Sequence, residues 1–248
     1  MSGGPLGNGP EDEDDAPEGN GSMENGDTEP EEDDEQIKIT KLGTGIHVLD
    51  QRLDGGLPPG SVVSIVADPK STAELFLYDL ATTRKTHYFT TMRSPESVRA
   101  SLDILDTEPA DLEIVDLSGR LAGATDVVMD HLENVEPDEN IVVDTFSDLA
   151  VRTDRFEELL DALYETSHAN GNITYLYMLE SADAALSYDE RKVPYLSDVV
   201  MKMRQDVSGE KVENRLAITK LRGETPPPKT IKLNIGTSVE IDTSRDIA

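Results

Sequence analysis

Residues 60–78, GSVVSIVADPKSTAELFLY, decide how this 248-residue chain folds. The run Val62 to Val66 is short and apolar but for Ser64, which predicts a strand buried on both faces. A tight turn through Asp68-Pro69 follows, and then a helix that turns Leu75, Phe76 and Leu77 toward a core. A buried strand, a short loop and a helix form the arrangement in which nucleoside-triphosphate enzymes hold phosphate. Backbone N–H groups and the helix N-terminus surround the anion, and a Lys and a Ser/Thr complete the site. Laid without gaps on G-x-x-x-x-G-K-[ST], the loop reads Ala67, Asp68, Pro69, Lys70, Ser71, Thr72, Ala73, Glu74. Ala73 stands where the phosphate lysine belongs, and Glu74 where the magnesium-binding hydroxyl belongs. The second change sets a negative charge beside the would-be phosphates. The stretch has the architecture of a phosphate loop without its chemistry.

Outward from this stretch, strands and helices alternate. Before it, QIKITKLGTGIHVLDQRLDGGLPPG contains a short strand-like run, a small helix with Val48, Leu49 and Leu53, and a Gly/Pro turn. After it, strands are predicted at 85–91, 112–117, 140–146 and 173–179, and helices at 95–105, 125–135 and 155–169. Ser94-Pro95-Glu96 reads as a helix start, with Ser94 as cap and Pro95 in the first turn. Repeated strand–helix units with apolar strands imply a doubly wound, mainly parallel sheet covered on both faces. The pattern changes at 198–207, 215–222, 230–235 and 239–242, four consecutive strands that predict an antiparallel extension at one edge. Residues 37–248 read as one α/β domain.

Residues 1–36 hold 14 Asp and Glu, no Lys or Arg, and hardly an apolar side chain. They are expected to be a disordered acidic tail. The chain as a whole carries 51 acids against 22 bases, a formal charge of −29. The 37 acids and 22 bases of residues 37–248 leave −15 there. Such a surface repels nucleic acid and anionic lipid at long range. The acid excess, with few aromatics and few lysines, points to a protein that works in very high salt; an ordinary acidic protein is the other account. No cysteine is present, so no disulfide, thiolate metal site or Cys nucleophile is available. His47, His87, His131 and His168 are scattered without an H-x-x-x-H pair, so no metal site is expected. No apolar run approaches the roughly 20 residues of a membrane span, and a cytoplasmic location is expected.

A second nucleotide-type signal is NIVVDTFSDL, in which Asp144 closes an apolar strand as the magnesium-binding carboxylate of such enzymes does. With it, the chain resembles the KaiC-like branch of the RecA superfamily, which also takes in archaeal RadA-type recombinases and gas-vesicle regulators. The blocks that carry the likeness are TGIHVLDQRLDGGLPPGSVVSIV at 44–66, TTMRSPESV at 90–98, IVVDTFSDL at 141–149, YLSDVVMKMR at 195–204 and AITKLRGE at 217–224. They follow the family's order over residues 40–243.

The resemblance implies a RecA-like core, ATP bound between neighbouring subunits, and a ring or filament. It also implies a pair of glutamates after the second strand, one of which activates water; Met92 and Arg93 stand there instead. Charge clamp, metal ligand and general base are thus all missing, and no catalytic residue is expected in cis. Lys70 lies three residues before the usual lysine and is the one local substitute. Arg93 reads from the sequence as an exposed cation at a helix start, and Asp144 as a residue retained at the mouth of the sheet. Lys220 and Arg222 match the residues that in KaiC-like rings reach the neighbour's γ-phosphate; the other account is two surface charges on an edge strand. The expectation is a pseudo-ATPase without ATP or magnesium, a regulatory or scaffolding subunit that assembles with itself or with RecA/KaiC-like partners. Two alternatives stand beside it. One is an ATP-binding ATPase with an irregular phosphate loop, in DNA repair or signalling. The other is a DNA-binding recombinase paralogue, which the acid excess disfavours.

Overall fold

Every residue of β1 (Val62–Ala67) is buried, and the other strands arrange themselves around it. In this computed structural model, which describes residues 40–71, 73–105, 107–119, 123–180, 186–208, 211–235 and 239–241, β1 lies inside a nine-stranded sheet of order β3-β2-β4-β5-β1-β6-β7-β8-β9. The strands are β2 (Lys85–Thr90), β3 (Asp111–Asp116), β4 (Asn140–Asp144), β5 (Ile173–Leu179), β6 (Val199–Ser208), β7 (Lys211–Leu221), β8 (Ile231–Ile235) and β9 (Val239–Ile241). All pairings from β3 to β6 are parallel, and all from β6 to β9 are antiparallel. The fold is the doubly wound α/β architecture with an antiparallel edge that the strand pattern predicts.

Alternating side chains divide the core into two layers, as the two-residue period of a strand requires. Val63, Ile65, Tyr88, Val142, Tyr175 and Met201 face α1 (His47–Arg52), α2 (Ala73–Leu80) and α3 (Pro95–Ile104). Val62, Val66, Phe89, Val143, Leu176 and Met178 face α4 (Ala124–Leu132), α5 (Phe146–Arg152), α6 (Phe156–Asn170) and α7 (Tyr188–Leu196). The lead-in to β1 is fixed by Gly56, at φ +127°. A Cβ there would meet the Leu42 carbonyl oxygen at 2.1 Å, where Leu42 and Leu57 bridge two chain segments.

Two helices depart from the sequence reading. The strand expected to run to Phe146 stops at Asp144, because Phe146, Leu149 and Ala150 bury together at helical spacing as α5. Helix α7 was not predicted at all. It has almost no apolar stripe, with Glu190 and Val193 its buried residues, and it carries Pro194. What starts it is a capping box, Ser187 accepting from the Glu190 N–H while the Glu190 carboxylate accepts from the Ser187 N–H.

The antiparallel edge holds one irregularity with local consequences. Val200 pairs with Lys220 but Met201 pairs with Ile218, so Thr219 is an extra residue on β7. Before the bulge, Leu216 and Ile218 point to the core; after it, Leu221 does. Lys220 and Arg222 therefore turn to the opposite face, toward α7. Among the described residues no helix is long and apolar enough to cross a membrane.

Candidate functional site

The loop after β1 closes on itself. The Asp68 carboxylate accepts the Lys70 N–H at 2.9 Å, and the Asp68 carbonyl accepts both the Ser71 N–H at 2.8 Å and the Ser71 hydroxyl at 2.6 Å. These are the backbone donors that in a phosphate loop face the ligand; here two of them are satisfied by the loop's own aspartate. Ser71 and Ala73 are fully buried, Glu74 lies in the first turn of α2, and Lys70 is exposed. Thr72 lies outside the described residues, as do residues 1–36. Beside the ends of β1 and β5, along β6, is a crevice of about 380 Å³, where Asp68, Glu180 and Asp206 stand with Lys202 and Arg204. Carboxylates outnumber cations around the space that a polyphosphate would enter.

Asp144 sits at the C-terminal end of β4, the same end of the sheet as the loop, with the cis peptide Asp144–Thr145 behind it. Its side chain is only 5 % exposed. One oxygen, Oδ2, accepts from the Tyr88 hydroxyl at 2.6 Å and from an Arg93 guanidinium nitrogen at 2.5 Å. A second Arg93 nitrogen donates to the Tyr78 hydroxyl at 2.7 Å, and the guanidinium lies 5.6 Å from the centre of that ring. Arg93 is thus no exposed helix-start cation. Ser94 and Pro95 do start α3, but the arginine before them folds inward, its side chain 28 % exposed, onto the carboxylate. The reason is the sheet: β2 and β4 are parallel neighbours, so Thr90 pairs with Asp144 and the chain leaving β2 passes over the carboxylate.

Three tyrosines fill the space around this pair. Burial holds the Tyr88 hydroxyl pKa well above its ordinary value, and Asp144 adds to the shift. Burial also raises Tyr78, opposed by Arg93. Burial raises Tyr177 as well; Glu74 and Asp144 push it further up and Arg93 pulls it down. Burial works against the charge of Arg93 itself, yet Asp144, Tyr88 and Tyr78 together keep its pKa above the usual arginine value. The mouth of the sheet is a set of buried phenols around one internal ion pair.

Lys220 and Arg222 lie at the other end. Asp198 ties Arg222 there: Arg222 Nε is 2.6 Å from Asp198 Oδ1, and the other carboxylate oxygen accepts the Val62 N–H at 2.9 Å. Val62 begins β1 and the loop follows its end, so six residues, or about 20 Å, separate these cations from their own loop. Both also close the C-terminus of α7. Lys220 Nζ donates to the Tyr195 carbonyl at 2.5 Å, and an Arg222 nitrogen to the Leu196 carbonyl at 2.6 Å. Those carbonyls have no partner within the helix and carry the negative end of its dipole. Burial lowers the Lys220 pKa, and Arg222 lowers it further. Tyr195 beside them is 80 % exposed.

The sequence reading missed two things here. It treated Arg93 as solvent-facing, and it took the histidines as scattered. His87 and His131, 44 residues apart, have ring nitrogens 2.8 Å from one another. The pairing depends on α4 crossing β2, which no local spacing reports.

A family model described as a family of unknown function, DUF7125, matches residues 41–248. None of the curated proteins compared matches the sequence. Among solved structures, the chain is similar to the flagellar accessory protein FlaH from Methanocaldococcus jannaschii, with a TM-score of 0.66 and 14% identity over 83% of this chain and 98% of that one. It is similar also to a KaiC-like protein from the hyperthermophile Pyrococcus horikoshii OT3, with a TM-score of 0.65 and 17% identity over 82% of this chain and 99% of the other. Both likenesses are of fold, and the fold they share is RecA-like.

Proposed function

This chain belongs to the DUF7125 family, and we propose that it is a RecA-like subunit without ATPase chemistry of its own, acting as a regulatory or scaffolding partner. The observation that carries the reading is the Arg93–Asp144 pair. In an ATPase of this fold the strand-end carboxylate holds magnesium through water, and the metal neutralises phosphate charge. Here a tethered guanidinium and the Tyr88 hydroxyl occupy one of the two Asp144 oxygens open to such a water. A hydrated dication would have to displace a cation that is already hydrogen-bonded. The self-satisfied loop and the loss of lysine and hydroxyl at Ala73 and Glu74 point the same way.

A second reading rests on Lys70. It is the exposed cation of the loop, and an ATPase with an irregular loop would use it on phosphate. Melting in molar potassium chloride with and without millimolar Mg-ATP separates the two, because a ligand of the native state must raise its melting temperature. No shift is expected. A clear rise, abolished by Lys70→Ala, overturns the proposal in favour of the second reading.

Lys220 and Arg222 extend the proposal. About 20 Å from their own loop, they are placed to serve only a neighbour, alongside the exposed Tyr195. Guanidinium and ammonium groups offered in trans to a transferring phosphoryl group can raise its rate about 10³-fold or more. Mixing the chain with KaiC-like or RadA-like ATPases of the same cell, and following phosphate release, tests this. Stimulation abolished by Arg222→Ala with co-purification intact supports it. Stimulation of none, or stimulation indifferent to both cations, leaves the scaffold alone.

A further inference from the structure

On the face of the sheet opposite the Arg93–Asp144 pair, the geometry points to a binding site for a divalent transition metal of zinc type, built from His87, His131 and Glu113. His87 and Tyr88 are consecutive on β2, so their side chains leave the sheet on opposite sides; nothing in this site belongs to the nucleotide-type one. His87 is 1 % exposed. Its parallel neighbour in β3 is Glu113, directly opposite in register, and the last turn of α4 lays His131 over both. One ligand atom from each of the three lies within 4.8 Å of the other two.

The separations suit a metal. Ligands at about 2.0–2.1 Å in a tetrahedron stand about 3.3 Å apart. His87 Nδ1 is 2.8 Å from His131 Nε2 and 3.5 Å from one Glu113 oxygen, and His131 Nε2 is 3.8 Å from the other. The two edges that meet at His87 Nδ1 lie on either side of that value, and the two Glu113 oxygens both face the histidine pair. His131 is 17 % exposed and Glu113 51 % exposed, so the fourth position opens toward solvent while the His87 side is closed.

A further carboxylate orients the inner ligand. Glu139 Oε2 is 2.5 Å from His87 Nε2. Glu139 is itself held by the Lys85 ammonium at 3.0 Å and by the Glu136 N–H at 3.0 Å, bonds that favour its ionised form. With the Glu139 carboxylate as acceptor at Nε2, the other ring nitrogen, Nδ1, is the atom that faces His131 and Glu113. A carboxylate behind a histidine behind a metal is the usual outer arrangement of zinc-type sites. Two imidazoles and one carboxylate suit zinc, cobalt or nickel, whereas magnesium and calcium prefer oxygen alone. A bound ion would pin the edge strand β3 to α4 through ligands from both.

Zinc titration of the full chain tests this, in high salt with excess magnesium to occupy the carboxylates of the acidic surface. The expected result is one equivalent of zinc per chain bound in preference to magnesium, a rise in melting temperature, and a tetrahedral visible spectrum when cobalt replaces zinc. His131→Gln and Glu113→Gln should each abolish that equivalent. Glu113 is a half-exposed residue of an edge strand, so its variant stays folded even where the histidine variant does not. Glu139→Gln should weaken binding about 10–100-fold. No stoichiometric zinc above the magnesium background, or an equivalent that survives in either of the first two variants, overturns the site.

Discussion

The two ends of the sheet each hold an arginine against a buried aspartate, and they are built to opposite effect. At the loop end, Arg93 meets Asp144 at 2.5 Å with side chains 28 % and 5 % exposed. At the far end, Arg222 meets Asp198 at 2.6 Å with side chains 59 % and 12 % exposed. The first pair is turned inward and enclosed by Tyr78, Tyr88 and Tyr177; the second rests on the carbonyls of α7 with its guanidinium half in water. At the loop end, the carboxylate that closes β4 is bonded within the chain. At the far end, the cations stay at the surface. The contrast lies in burial more than in distance, and burial decides what removing a partner costs.

The largest expected effect follows directly. Arg93→Ala leaves an uncompensated carboxylate in the interior and should destabilise the chain by about 3–5 kcal/mol. Arg222→Ala, at an exposed pair, should cost about 1 kcal/mol or less. Urea unfolding of both variants at the same high salt measures the difference, and equal losses would erase the distinction between the two ends. Arg93→Lys sharpens it. An ammonium keeps the charge but not the planar fork that reaches Asp144 and Tyr78 together, so an intermediate loss is expected.

A smaller effect is expected from alkali. Burial raises Tyr88 and Tyr177 at the loop end, and pushes Tyr164 up to about 12 at the far end. Above pH 10 the unfolded tyrosines release protons that the folded ones retain. The native state then holds more protons than the unfolded state, and stability falls as pH rises. The contribution is whole below pH 10, and each such tyrosine present adds about 1.4 kcal/mol per pH unit to the decline. Tyr177→Phe and Tyr164→Phe should each make the fall between pH 10 and 12 shallower. Urea midpoints across that range check it. A decline as steep as that of the parent chain in both variants would show that neither hydroxyl titrates differently on folding.

The strand–helix alternation was legible because burial on both faces leaves short, mostly apolar runs such as Val62–Val66, broken only by Ser64, and Ile141–Val143. Helix α7 was not, since its cohesion comes from a cap and from Lys220 and Arg222 at its end instead of an apolar stripe. Its Ser187…Glu190 spacing was the available signal. Within the site, the loop's closure by Asp68 was readable from Asp-Pro chemistry, which acts within three residues. The bond from Arg93 to Asp144 spans 51 positions, and that from His87 to His131 spans 44. Both depend on which strands become neighbours, and strand order is not written in local spacing.

The arginine at Asp144 has a kinetic consequence as well as an energetic one. A metal or nucleotide in solution arrives and departs, so a carboxylate that depends on either alternates between occupied and vacant at a rate set by concentration. Arg93 is covalently part of the chain, and its local concentration at Asp144 is unaffected by dilution, chelators or the energy charge of the cell. On the proposed reading, the interval between binding events that gives a nucleotide-dependent protein its timing would have no counterpart at this carboxylate.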